Sequence, residues 1–147
     1  MGMKISTGLA NNMLDTASFA GSLTGMKMKI YSGSVPATAD AALGGAVLLV
    51  TISDAGGAGA LQFETAAVGN TIEKKSSQSW TGVNAATGTA SFCRLELASD
   101  TGAASTSEIR VQGDVAVAGA FLNLSSVSLT SGATQTVDYL AITLPTA

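Results

Sequence analysis

Asp100-Thr101-Gly102 is the one tripeptide in this chain with an obvious chemical use. Asp-Thr-Gly surrounds the carboxylate of an aspartic protease, where two aspartates share one proton in a buried, symmetric site. Here a polar Ser99 precedes it and Ala103-Ala104-Ser105-Thr106-Ser107 follows. Apolar sequence is missing on both sides, so the tripeptide is predicted to be a solvated turn. None of the ten carboxylates shows the oxygen-rich spacing of a calcium loop. A glycosidase pair drawn from distant strands stays open on spacing alone. Only 5% of residues are aromatic, however, which is few for holding sugar rings.

Other catalytic groups are scarce. There is no histidine, the commonest general base and metal ligand. Cys93 is the only cysteine, so no internal disulfide can form. Its setting, Ser-Phe-Cys-Arg-Leu-Glu-Leu, predicts a small buried hydrophobe rather than a nucleophile. The glycine-rich stretch 54–60 lacks a following Lys-Ser/Thr and is not a phosphate loop. Asn123-Leu124-Ser125 matches a glycosylation pattern but reads as ordinary strand sequence. Trp80, the lone tryptophan, is expected to anchor the core or a loop. No cofactor, metal or enzymatic activity is expected.

Composition narrows the partners. Apolar residues make up 46% of the 147 and charged residues 12%; about 25% charged is usual, so the surface is weakly charged. Net charge is −3 and the seven basic residues are scattered. Nucleic-acid binding needs a concentrated positive patch, and none is present. The longest apolar run, Ala46 to Val50, is far short of the ~20 residues of a membrane helix. No apolar stretch of signal-peptide type occurs near the start. Residues 1–6 fit a myristoylation pattern, though an extra Met-Gly before a start at Met3 is the simpler account.

Two periods organise the chain. Ser6 and Thr7 can cap a helix, and Leu9, Met13 and Leu14 then share one face, with Phe19 and Leu23 a turn further on. One or two short helices are predicted over 7–23, stopped by Gly25. Alternation of period two takes over from Met26. Met26, Met28 and Ile30 point to a dry side; Lys27, Lys29 and Tyr31 point to a wet one. Residues 47–53 read as a more fully buried strand. Residues 87–97 form the clearest central strand, with Ser91, Cys93, Leu95 and Leu97 on one face and Phe92, Arg94 and Glu96 on the other. Around 107–112, Ile109 and Val111 are predicted inward and Glu108 and Arg110 outward. Further strands are predicted near 61–64, 68–75, 120–129 and 134–144.

Seven to nine short strands between turn signals argue an all-β fold, a jelly-roll-like antiparallel β-sandwich with a short N-terminal helical segment. Residues 1–24 form the helical segment and 25–147 the sandwich, with no linker or fixed repeat between them.

Several stretches in this order resemble a known family: Lys4–Asp15, Lys29–Gly45, Ser79–Gly82, Phe121–Ser126 and Thr134–Pro145. Together they are similar to the small cement, or decoration, proteins of tailed bacteriophages, in particular the jelly-roll cement type of a Bordetella podophage. The resemblance covers nearly the whole chain from Met3 and rests on pattern and order, not on a catalytic motif. It implies a structural virion protein on the outer capsid surface. Its implied partners are the major capsid protein and further copies of itself, as a homo-oligomer, dimer or trimer. It implies no active site. The alternatives are a tail, head-completion or fibre-associated virion module, or a carbohydrate-binding or adhesin domain. The N-terminal segment looks most easily spared from the sandwich, so Met3, Ile5, Leu9, Met13, Leu14 and Phe19 are the candidate partner contacts.

Overall fold

The computed structural model describes residues 2–146. Its first element, β1 (Lys4–Ile5), leads into α1 (Thr7–Asp15). Ser6 caps α1: its Oγ accepts the Leu9 N–H at 3.1 Å, filling one of the donors a helix start leaves open. Ser18 caps α2 (Phe19–Ser22) in the same way through Gly21. Gly25 then adopts φ +83°, a left-handed turn that costs glycine little, and the helical run stops.

The remaining strands follow in order. They are β2 (Met26–Ser32), β3 (Val47–Asp54), β4 (Thr71–Glu73), β5 (Trp80–Val83), β6 (Gly88–Thr89) and β7 (Phe92–Leu97). After them come β8 (Val111–Ala116), β9 (Leu122–Asn123), β10 (Ser128–Leu129), β11 (Thr134–Val137) and β12 (Ala141–Thr143). The main sheet runs β1-β8-β7-β2-β3-β5-β11, with β9 added to β8 in parallel. Every other pairing is antiparallel. The ladders β12-β4 and β10-β6 are separate two-stranded sheets whose Ile142 and Leu129 pack into the common core. The fold is therefore an all-β antiparallel sandwich with a short helical N-terminus. Its layers are unequal, because one large sheet faces two small ladders and irregular chain.

Register explains the core. Met28 lies opposite both Ile52 and Leu95, and Leu95 opposite Val111. Ile30 likewise meets Val50 and Cys93. These side chains share one face and are fully buried. Leu124, Leu129, Leu140 and Ile142 pack into the same core as that face, together with Leu122 of β9 and Trp80 of β5. Gly113 sits where the Phe121 ring lies on the sheet; a Cβ there would overlap the ring.

The structure departs from the predicted pattern in several places. Ser107–Gln112 is not one strand, since β8 begins at Val111. Residues 134–144 break into β11 and β12, which join different ladders. Around 61–75 only β4 and isolated bridges form. Leu97 is partly exposed, at the end of its strand. Leu14 is 86% exposed. Its spacing from Leu9 puts it beyond the buried stripe, which on so short a helix is narrow.

The larger departure concerns the wet side of β2. Lys29 and Tyr31 are buried, as are Phe92, Arg94, Glu96 and Gln112 on the same face. Arg110, predicted outward, is 1% exposed, and Asp100, predicted in a solvated turn, is buried as well. The main sheet thus has an apolar core on one face and a buried polar layer on part of the other. The physical reason is a covering segment, residues 33–46, which alternation within a strand cannot reveal.

Candidate functional site

The polar layer is built by register. Lys29 lies opposite Arg94, Arg94 opposite Gln112, and Gln112 opposite Lys4. Each donates from the sheet to a main-chain carbonyl of the 33–46 segment or the loop after β7. Gln112 Nε2 reaches Pro36 O at 2.8 Å, Arg94 Nη2 reaches Ala41 O at 2.8 Å, and Lys4 Nζ reaches Ala37 O at 2.7 Å. Lys29 Nζ reaches Asp100 O at 3.1 Å. Asp40, within the segment, accepts from Thr7 N at 2.8 Å and Thr7 Oγ1 at 2.6 Å. The segment is held mainly through its backbone, so small residues suffice in it. That accounts for a run of Ala, Gly and Ser between two strands.

Arg110 is the centre of the layer. Its Nε and Nη2 grip both oxygens of Asp100, at 2.6 and 2.7 Å, and it also donates to Ala39 O and Ala103 O. Two-pronged pairing of this kind is among the strongest polar contacts. Glu96 Oε1 lies 3.1 Å from Lys29 Nζ and accepts the Tyr31 hydroxyl at 3.0 Å. Its Oε2 is 3.9 Å from Arg110 Nε, a charge contact without a hydrogen bond.

The environment shifts these groups in opposite directions. Burial pushes the Asp100 carboxyl up, but Arg110 and the Gly102 N–H outweigh it and hold it below its ordinary value. For Glu96 burial prevails over Lys29, and the carboxyl is raised. Burial, then Glu96, raises the Tyr31 hydroxyl. The Asp-Thr-Gly carboxylate is thus paired with an arginine, and its hydrogen bonds among the described residues come from Arg110 and the Gly102 N–H. Most of the layer's donors and acceptors are used on each other and on the covering chain, with Arg94 Nη1 and Glu96 Oε2 left without a hydrogen bond, and the layer serves as a structural clamp.

Cys93 lies on the opposite, apolar face and is fully buried. Burial pushes its thiol up to about 12. It should resist aromatic disulfide reagents in the native state and react at once in denaturant. Rapid native reaction, followed by thiol titration, would contradict the packing.

The six candidate contacts separate. Leu9 is fully buried and Phe19 nearly so; both belong to the core and cannot serve as free contact surface. Met3 and Met13 are partly buried against the core. Ile5 is partly exposed and Leu14 stands almost fully in solvent. The burial of Leu9 and Phe19 follows from the cap geometry that turns the helices onto the sheet, which sequence spacing does not encode. Apolar residues outside the N-terminus are also exposed: Val68, Val83, Val117 and Tyr139. Sequence reasoning missed these, because an isolated apolar residue in a strand or loop looks like a core residue.

An open groove of about 370 Å³ lies between α2 and the β12-β4 ladder, lined chiefly by Phe19, Ala67, Ile72, Ile142 and Leu144. It holds no carboxylate, thiol or amine. Among the described residues, no three His, Cys, Asp or Glu side chains are grouped to hold a metal ion, and no helix is long and apolar enough to cross a membrane. The chain matches no protein-family model, no curated protein and no solved structure.

Proposed function

We propose that the chain is a structural virion protein that binds the outside of an assembled phage capsid and cements neighbouring major capsid subunits. The reading rests on the resemblance to tailed-phage cement proteins and on one structural observation. Lys29, Arg94, Glu96, Asp100 and Arg110 are buried, while Leu14, Val68, Val83, Val117 and Tyr139 stand outside. A surface thinned of charge and carrying separate apolar side chains suits contact with protein, since interface centres are depleted in charge. Many copies on one shell act together, so each contact can be modest.

Leu14 is the residue to test, because it is exposed and supports nothing beneath it. Burying a leucine in a partner contributes about 1.5–3 kcal/mol. Leu14→Asp should therefore weaken co-sedimentation with empty shells by roughly tenfold or more, with the unfolding midpoint unchanged. Moderate salt should weaken binding only slightly, and free capsid subunits should bind less than assembled shells. Equal binding by the variant would remove Leu14 from the contact. Absence of the native protein from the shell, with labelling at the tail, would overturn the cement reading.

A further inference from the structure

β11 is an outer strand of the main sheet, and its pairing decides which backbone groups are used. Thr134 lies opposite Val83, Gln135 opposite Gly82 and Thr136 opposite Thr81. Asn84 N donates to Ala133 O at 2.8 Å. Bonded and unbonded pairs alternate in an antiparallel ladder. Gln135 and Val137 therefore aim their N–H and C=O groups at β5, and Thr134 and Thr136 aim theirs outward. Gln135 Nε2 reaches the Thr136 carbonyl at 2.9 Å. Among the described residues, the N–H groups of Thr134 and Thr136 and the carbonyl of Thr134 have no partner. Both threonines are exposed.

Protein sheets normally blunt such an edge with lysine, proline, a bulge or a covering element. β11, Thr-Gln-Thr-Val, carries neither residue type, and its ladder with β5 runs without a shift in register. The neighbouring Val83 is 63% exposed. No charged residue occurs between Asp114 and Asp138. An edge without charge selects neither a basic nor an acidic partner.

Register selects the occupant. Pairing β11 with itself about a twofold axis at Gln135 sets Thr134 of each copy against Thr136 of the other. Those are the residues whose N–H groups point outward: the Thr136 N–H meets the unused Thr134 carbonyl, and the Thr134 N–H meets the Thr136 carbonyl, which accepts it on the lone pair that Gln135 Nε2 leaves open. The same register sets Asp138 against Gly132. The two Asp138 residues then stand six residues apart along the strands, about 20 Å at ~3.4 Å per residue. That exceeds the screening length of about 8–10 Å. A chain of net charge −3 can thus meet itself here without opposing like charges.

We propose that β11 pairs with β11 of a second copy of this chain, joining two main sheets edge to edge across a twofold axis. This contact is separate from Leu14, so its failure and the failure of shell binding are distinguishable.

Sedimentation equilibrium of the whole chain over a concentration series tests it, together with amide exchange at Thr134 and Thr136. The mass should rise toward twice that of the chain, and both amides should gain protection in step. Thr136→Pro deletes an outward N–H and leaves the β5 ladder intact, a position where edge strands accept proline. It should sediment as a monomer at the same concentrations with native circular dichroism. If that variant does not fold, Thr134→Lys combined with Thr136→Lys replaces it. Like charges then face each other across the axis, and the variant should be monomeric at low salt. A native chain that stays monomeric throughout would leave the edge to a different extended partner and overturn the pairing. So would a dimer that survives the substitutions or leaves both amides unprotected.

Discussion

Removal of residues 1–24 is expected to unfold the domain rather than trim it. Although the sequence marks this segment as easily spared, its contacts tie it to the sheet. Ser6 Oγ accepts the N–H groups of Leu9 and Arg110 and donates to Glu108 O, while Ser6 N donates to Arg110 O. Gly8 packs so closely on the Ser107 and Glu108 carbonyls that a Cβ would overlap them. Leu9 and Leu23 are buried in the common core, with Phe19 beside them. At about 1.5–3 kcal/mol for each buried side chain, the three together approach the ~5–15 kcal/mol that holds a whole domain. The truncated chain should lose its cooperative thermal transition and the native fluorescence of Trp80. Leu9→Ala alone should cost about 2–5 kcal/mol in denaturant unfolding. A truncated protein that keeps the native transition would show that the segment is dispensable after all.

Arg110→Ala should cost about 3–5 kcal/mol, the usual price of leaving a buried charge without its partner. Both Asp100 oxygens lose their donors, the carbonyls of Ala39 and Ala103 lose theirs, and the 33–46 segment loses its central tie. Combining Arg110→Met with Asp100→Leu should cost less than the two single changes added together, because neither charge is then orphaned. Additive losses in that cycle would mean the pair is not coupled.

The same pair governs acid stability. The Asp100 carboxyl is depressed in the fold, so its contribution is fully present above its ordinary value of 3.8. That contribution is lost as pH falls through the lower folded value. Glu96 is raised, so its effect runs the other way: stability is greatest below its ordinary 4.5 and declines as pH rises through the folded value. Asp100→Asn should flatten the acid limb of a stability–pH curve. An unchanged limb would place acid sensitivity elsewhere.

Much of the architecture is legible in the order of the residues alone. Ser6 and Gly25 bound the helical segment through a local hydrogen bond and one left-handed turn, signals readable without a fold, whereas the Ser18 cap between the two helices was not read. The alternation in Met26–Ile30 and Cys93–Leu95 correctly marked the apolar face of the sheet, because period two is intrinsic to a strand. Trp80, expected to anchor the core or a loop, is in the core, and Cys93 was legible as core from its apolar neighbours. What lies on the other face was not. Whether Arg94, Arg110 and Gln112 meet water depends on residues 33–46 folding back across them, while Lys29 and Glu96 are tied to the loop after β7 and to one another, contacts that depend on tertiary folding. The standing of the six N-terminal candidates was settled the same way. Leu9 and Leu14 look alike in sequence, yet the direction in which the Ser6 cap lays α1 on the sheet buries one and exposes the other. Free backbone groups at β11 likewise follow from where the sheet stops, because only strand order decides which strand has no neighbour.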